Sequence, residues 1–374
     1  MAPDNRSARR IAIENLKPGM VLARDLHDPD GNIVLRGDTV LDKDNFNTII
    51  LNSSSYVYVL DESIVSDRKG FLDTAGSAFV SPVDVPLSDR GSFKGFTTEY
   101  GDKPSKLASA FSRLAEGKNV SRDELYSITD DLMRHLHTKT DVILYINYLE
   151  TEADYLYIHS INVALFANLF GIWINLDSNE LADLTVAALL HDIGKSQLPL
   201  EIVSKRSPLT KEEEAVMKKH PTLGYRILDR ANMLDEIKYA ALSHHERSDG
   251  SGFPLGLKSE KISRYAKIIA ICDAYEQMVA EGILSGLRDP SPFDVIKKFE
   301  RESFGLFDTE SLLLFLHNIA YTFLNSRVQL SDGSSGYVAF ISPDDLSKPI
   351  VVTDEKKILD MRRHPDIRIA SLAY

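Results

Sequence analysis

The pattern of apolar and polar positions changes character along the chain. Up to about residue 60 the apolar runs are short and sit between turn residues: Ile11-Ala12-Ile13, Val21-Leu22, Ile33-Val34-Leu35 and Tyr56-Val57-Tyr58-Val59. Lys17-Pro18-Gly19-Met20 reads as a turn, and Asp28-Pro29-Asp30-Gly31 has the chemistry of a hairpin loop. These features predict a small β-rich module over 1–62, a regulatory or packing element without a site of its own. Residues 63–103 are rich in Gly, Ser, Asp and Pro and keep no period, so they read as a linker. Helical spacing begins near Pro104 and runs through Ala108, Phe111 and Leu114, then from Leu125 to His137, which predicts connecting helices over 104–151. His135 and His137 lie two positions apart and would point to different helix faces, as solvated or partly packed side chains do.

Over 152–325 the pattern is helical almost throughout. Val163, Phe166, Ala167 and Phe170 follow His159 at offsets of 4, 7, 8 and 11, so His159 belongs to an apolar face. Asp177 and Glu180 form a capping pair for a helix that carries Leu181, Leu184, Ala188 and Leu189 inward and ends at His191-Asp192, with Gly194 as its stop. Thr210 and Glu213 open another helix, expected to run through Val216 and Met217 to His220 before Pro221. Ile237, Ala240, Ala241 and His244 share a face, as do Ile262, Ala266, Ile269, Ala270 and Asp273. After Arg327, Tyr337-Val338-Ala339-Phe340 and Ile350-Val351-Val352 predict a β appendage over 326–374. The fold class is therefore mainly α: a helical bundle with a small β-rich N-terminal module and a short β-containing C-terminal appendage.

Length and composition narrow the reading. A chain of 374 residues suggests more than one unit, and its 43% apolar and 26% charged content is that of an ordinary globular protein. The net charge of −12 disfavours nonspecific DNA binding, and the single cysteine, Cys272, excludes an intramolecular disulfide framework. No apolar run is read as reaching the roughly 18 residues of a membrane span. Met1 to Arg10 is polar and lacks the apolar core of a signal peptide, so a cytoplasmic location is expected.

The helices place His159, His191, Asp192, His220, His244, His245 and Asp273 on or beside apolar stripes that converge on the bundle interior. One buried polar side chain costs a few kcal/mol unless it is paired, and an isolated buried charge costs more. A shared cation resolves the problem for all seven at once. Imidazole and carboxylate ligands without thiolate suit iron, manganese or catalytic zinc. Seven ligands suit two metals bridged by Asp192, the arrangement of two-metal phosphoesterases.

These pieces resemble the HD-GYP family of phosphohydrolases, a branch of the HD superfamily. They are His191-Asp192-Ile193-Gly194-Lys195, His220-Pro221, His244-His245-Glu246 with Asp249-Gly250-Ser251-Gly252-Phe253-Pro254, and Asp273. Leu16-Lys17-Pro18-Gly19-Met20 resembles a small module often found ahead of such domains. The resemblance implies an HD-type helical domain over 152–325 with a bi- or trinuclear, commonly iron, centre that hydrolyses cyclic di-GMP to pGpG and sometimes to GMP. It implies that the seven residues above are the ligands, that Asp192 is catalytic as well as ligating, and that Lys195 stands near the scissile phosphate. Tyr155 takes the place of a glutamate found in three-metal members, which implies two metals here: iron first, with manganese or zinc as alternatives.

The chain also departs from the pattern. Phe253 replaces the signature tyrosine and lacks its hydroxyl. Glu281-Gly282-Ile283-Leu284-Ser285 stands where an Arg-Pro-Tyr element is usual, leaving Lys205, Arg206, Arg247 or Lys258 to supply a cation. Two readings follow: a cyclic di-GMP phosphodiesterase, or a metal-bound receptor or adaptor that turns over weakly or not at all and meets a diguanylate cyclase or another signalling protein. Among the other residues, Glu246 is read as orienting a ligand histidine or lying at the surface, Asp249 as bonding within its loop, Cys272 as a small apolar filler and Trp173 as a packing anchor.

Overall fold

The structure is a computed structural model that describes residues 8–12, 16–17, 20, 22, 26–27, 33–35, 39, 41, 45, 49, 56–60, 91–133, 145–146, 155–205, 207–284 and 291–372. The chain divides into two units, residues 1–80 and 81–374. The Asp28–Gly31 loop, the linker up to residue 90, His135, His137 and Arg206 lie outside the described residues.

In the first unit, β1 (Ala8–Ala12) pairs antiparallel with β4 (Tyr56–Leu60), with Ala8 opposite Leu60. β2 (Leu26–His27) pairs antiparallel with β3 (Ile33–Leu35), as the hairpin chemistry between them requires. Of the expected Val21-Leu22 strand, Leu22 is described: it bridges Val59 and its backbone N–H donates to Thr39 at 2.9 Å, while Val21 lies outside the described residues. Met20, Leu22, Leu41, Ile49, Val57 and Val59 make the unit's own apolar core. The backbone N–H of Met20 donates to Lys17 at 3.2 Å, which closes the expected turn.

The second unit begins with α1 (Gly91–Tyr100), inside the stretch read as linker. Its composition is loop-like, but Phe93, Phe96 and Tyr100 stand at helical spacing and all three are buried, so tertiary packing overrides local propensity. α2 (Lys103–Ala115) and α3 (Arg122–Met133) follow. α4 (Tyr155–Trp173) is the central helix, buried over most of its length. Its Leu156–Trp173 window spans 18 residues at a mean hydropathy of 1.4, which corrects the expectation that no run is this long. Within the window 78% is buried inside the fold, as in the core helix of a bundle, which is apolar all round. Trp173 closes it against Phe170 and Phe315, the anchor role expected of it.

α5 (Ser178–Leu190) opens with the expected capping box, in which Asp177 accepts from the backbone of Glu180. A 3₁₀ turn (Ile193–Gln197) follows. α6 (Lys211–Met217) opens with the Thr210–Glu213 box but stops before His220, and α7 (His220–Arg230) begins there. The expected single helix is thus two, because Pro221 favours the first turn of a new helix over the last turn of an old one. α8 (Asp235–Ser243), α9 (Arg264–Leu284), α10 (Pro292–Ser303) and α11 (Thr309–Tyr321) follow.

The C-terminal strands are β5 (Arg327–Leu330), β6 (Ser335–Ser342), β7 (Asp345–Thr353), β8 (Ile358–Asp360) and β9 (Ile369–Leu372). They form an antiparallel sheet in the order β8-β7-β6-β5-β9. This is the β-containing C-terminal element expected, and its Val328, Val338, Ile341 and Val351 join the same core as the helices.

Candidate metal centre

Five helices, three of them at an end, bring the seven residues together. His159 comes from the first third of α4, His191 caps α5 with Asp192 next to it, and His220 is the first residue of α7. His244 caps α8 with His245 after it, and Asp273 lies within α9. All are buried except His245, whose side chain is 15% exposed. Asp192 is the hub. Its Oδ1 lies 3.2 Å from His220 Nε2 and 3.7 Å from His244 Nε2, and its Oδ2 lies 3.4 Å from His191 Nε2 and 3.5 Å from His159 Nε2. Two clusters of ligating atoms therefore share this carboxylate: Asp192 with His220, His244 and His245, and Asp192 with His159 and His191. Asp273 completes the second, 3.1 Å from His159 Nε2, and reaches to 4.0 Å from His245.

The helix termini also set the tautomers. Nδ1 of His191, His220 and His244 lies 2.6, 2.7 and 3.0 Å from the carbonyl three residues earlier, at Ala188, Met217 and Ala241. A donor at Nδ1 leaves the Nε2 lone pair facing Asp192. His220 Nε2 and His244 Nε2 are then 3.3 Å apart with no proton of their own between them. His191 Nε2 and Asp192 Oδ1 are buried without hydrogen-bond partners among the described residues. Converging lone pairs and buried carboxylates are unfavourable alone and fit a divalent metal centre.

The charge balance points the same way. Burial pushes the His220 imidazole down to about 3, with Lys195 and His244 adding to the effect. Burial also lowers His244 and takes His245 well below the usual range, so these rings are neutral and ready to ligate. His159 goes the other way: burial lowers it, but the Glu276 and Asp273 carboxylates outweigh burial and raise it to about 10. Asp192 is held well below the carboxylate range because Lys195 and His191 outweigh its burial, and Asp273 is lowered by His159 against its own burial. The pocket thus gathers negative charge that cations must answer. Cys272 is buried beside it with its thiol raised far above the usual range by burial, an inert filler as expected.

Lys195 Nζ forms its ion pair with Asp192 Oδ2, so it is anchored on the shared carboxylate. The same side chain lines a cleft of about 260 Å³ with His220, His245, Phe253, Lys218 and Gln277. Phe253 stacks on His245, with ring centroids 4.7 Å apart and planes 23° apart. Its ring therefore buttresses a candidate ligand without any hydroxyl. Of the cations expected to replace the missing basic element, Lys205 pairs with Glu213, and Arg247 donates to the carbonyls of His244 and Glu246 and lies over Phe307. The second cation lining the cleft is Lys218, 5.6 Å from the Phe253 centroid, which the sequence reading did not single out.

Sequence reasoning also missed Glu276, one turn beyond Asp273, whose Oε2 is 2.6 Å from His159 Nδ1. Glu246 is neither exposed nor turned toward a histidine. It is buried and accepts from the backbone N–H groups of Leu255 at 2.6 Å and Leu257 at 2.8 Å, tying down the loop after the double histidine. Asp249 accepts from Ser251 within that loop, as expected. At Gly252 an added Cβ would lie 2.4 Å from Glu246 Cα, so the loop passes too close for any side chain there. Glu246→Ala removes the shared acceptor of the two partly buried bonds from Leu255 and Leu257, and a hydrogen bond to a charged group is worth about 1.5–3 kcal/mol. Its expected result is faster amide exchange at Leu255 and Leu257, while exchange in α4 is unchanged.

A family model described as "HD domain" matches residues 144–301. The chain is 29% identical over 230 residues to the cyclic di-GMP phosphodiesterase PdeB of Borreliella burgdorferi, covering 60% of this chain and 60% of that protein. It is 36% identical over 152 residues to a cyclic di-GMP phosphodiesterase of Thermotoga maritima, covering 40% of this chain and 39% of that one. The matches thus span 60% and 39% of the length of these two curated relatives. The solved structure of Bd1817, an HDG"Y"P protein from Bdellovibrio bacteriovorus, aligns at a TM-score of 0.49 and 16% identity, covering 84% of this chain and 99% of that one. The match to the HD domain model spans residues 144–301 and takes in His159, His191, Asp192, His220, His244, His245 and Asp273.

Proposed function

We propose that the protein is a cytoplasmic, metal-dependent phosphodiesterase acting on cyclic di-GMP or a related cyclic dinucleotide. The observation that carries the reading is the pair of candidate ligand clusters joined through Asp192, of which His220 and His245 line a cleft that also presents Lys195 and Lys218. His159, His191, Asp192 and Asp273 would hold one metal, and Asp192, His220, His244 and His245 a second, with iron the first expectation and manganese or zinc the alternatives. Such a centre supplies Lewis acidity toward a phosphoryl oxygen and lowers the pKa of water. The chain's own part is positional. Lys195, fixed on Asp192, places a positive charge where a scissile phosphate enters and offsets charge that grows on its oxygens. Lys218, at the outer wall, suits the second phosphate of a cyclic dinucleotide. Phe253 keeps His245 in place and offers an apolar face on which a base can stack.

The test is hydrolysis of cyclic di-GMP by protein purified anaerobically and loaded with iron or manganese, with metal counted in the same sample. The expected result is a linear product and about two metals per chain, in line with two-metal phosphoesterases. Two metals without turnover on any cyclic dinucleotide would overturn the enzyme reading in favour of a receptor or adaptor, to be sought with a diguanylate cyclase as partner.

A further inference from the structure

Glu276 is 4% exposed, and both of its carboxylate oxygens are engaged. Oε2 lies 2.6 Å from His159 Nδ1, and Oε1 accepts the side-chain amide of Asn162 at 3.1 Å. Asn162 is itself buried, and its Oδ1 accepts the hydroxyl of Tyr100 at 2.7 Å. The chain of bonds thus runs Tyr100, Asn162, Glu276, His159, and ends on the ring nitrogen opposite the Nε2 that faces Asp192 and Asp273. Tyr100 is the last residue of α1, ahead of the matched domain at 144–301, and is 3% exposed.

Each link fixes the next. An Asn side chain presents an acceptor on one side and donors on the other. A hydroxyl donating to Asn162 Oδ1 turns the amide nitrogen toward Glu276. That donor, in turn, selects the rotation of Glu276 that leaves Oε2 for His159. Without the hydroxyl, the amide is free to turn its oxygen toward the carboxylate, where two acceptors would face each other. Three of the other candidate ligands are held differently: Nδ1 of His191, His220 and His244 meets a backbone carbonyl of its own helix or turn.

We propose that Tyr100 is a positioning residue of the metal centre, acting through Asn162 and Glu276 to set the orientation of His159 and hence the affinity of the half-site formed by His159, His191, Asp192 and Asp273. The inference rests on the metal-centre reading above. It makes a helix outside the matched domain a determinant of how well that half-site fills.

Tyr100→Phe removes the hydroxyl and keeps the ring that packs on Phe96 at 5.6 Å between centroids. The experiment is manganese binding to the full chain by chelator competition, with the thermal midpoint of the metal-free protein measured alongside. The expected result is a loss of about 10-fold or more in affinity for one manganese, as for other outer partners of ligand histidines, with the other manganese and the metal-free midpoint unchanged. Asn162→Ala is expected to weaken the same site, and the double variant to be no worse than Asn162→Ala alone, because both break one relay. Wild-type affinity at both sites in Tyr100→Phe overturns the inference. So does an equal loss at both sites that follows a lower midpoint, or additive losses in the double variant. A wild-type protein that binds no manganese overturns the metal-centre reading itself, a different result from intact binding in the variant.

Discussion

Asp192→Asn is expected to empty both halves of the metal centre at once and to bring hydrolysis to background. Asp192 belongs to both clusters and faces four histidines: one carboxylate oxygen faces His220 and His244, and the other faces His159 and His191. Asparagine keeps the shape but changes the chemistry. One oxygen becomes an NH₂ donor aimed at imidazole nitrogens or at Lys195, and the charge that the cations answer is lost. Lys195 also loses its ion-pair partner. The loss of metal affinity should exceed the ~10–100-fold that follows removal of an outer-shell partner. Metal per chain and cyclic di-GMP turnover, measured on one preparation, check this, with far-ultraviolet circular dichroism showing that the helices remain. His245→Asn is the contrast, since His245 belongs to the cluster with Asp192, His220 and His244 and not to that of His159 and His191, and the change should leave the other metal bound. An Asp192→Asn protein that retained two metals would show that this carboxylate does not bridge.

That the centre could be read from the sequence at all follows from where its residues sit. His159 and Asp273 fall on periodic apolar faces, and the pairs 191–192 and 244–245 close helices whose inward residues are apolar. Capping boxes at Asp177 and Thr210 were equally legible because a cap is a contact between residues three apart. What escaped is what depends on distant partners. Tyr100 meets Asn162 across 62 positions and Glu276 meets His159 across 117, and no local pattern records either contact. Glu276 still left a trace, being an acidic residue one turn from Asp273 on a largely buried helix. The helix Gly91–Tyr100 was hidden by its Gly, Ser and Lys content, although Phe93, Phe96 and Tyr100 carry the right spacing. Gly194 was seen but misread: α5 already ends at Leu190, and the glycine's role lies elsewhere.

Gly194→Ala is expected to be the most damaging single-methyl change in the domain. Gly194 lies in the 3₁₀ turn after Asp192, where an added Cβ would meet the carbonyl oxygen of His220 at 1.9 Å and the backbone nitrogen of Gly224 at 2.5 Å. Both obstacles are backbone atoms of α7, so no rotamer change can relieve the overlap, and the turn and the helix must separate. Overpacking of a tight interior costs about 1–3 kcal/mol where side chains give way, and contact with backbone belongs at or beyond the top of that range. The separation acts directly on the chemistry, because Asp192 rides on one of the two segments and His220 on the other, with 3.2 Å between their ligating atoms. A shift of a few tenths of an ångström there spoils the cluster shared by Asp192, His220, His244 and His245 while the His159 half, on α4, feels less of it. The expected result is therefore a lower denaturation midpoint together with loss of one metal before the other, read by denaturant unfolding and by metal titration of the same variant. Gly224→Ala is the control: its nearest neighbours stand at 3.4 Å or more, so it should leave metal content as in the wild type and cost little stability. If the two alanines behaved alike, the close approach of the turn to the start of α7 would not be what fixes the spacing between Asp192 and His220.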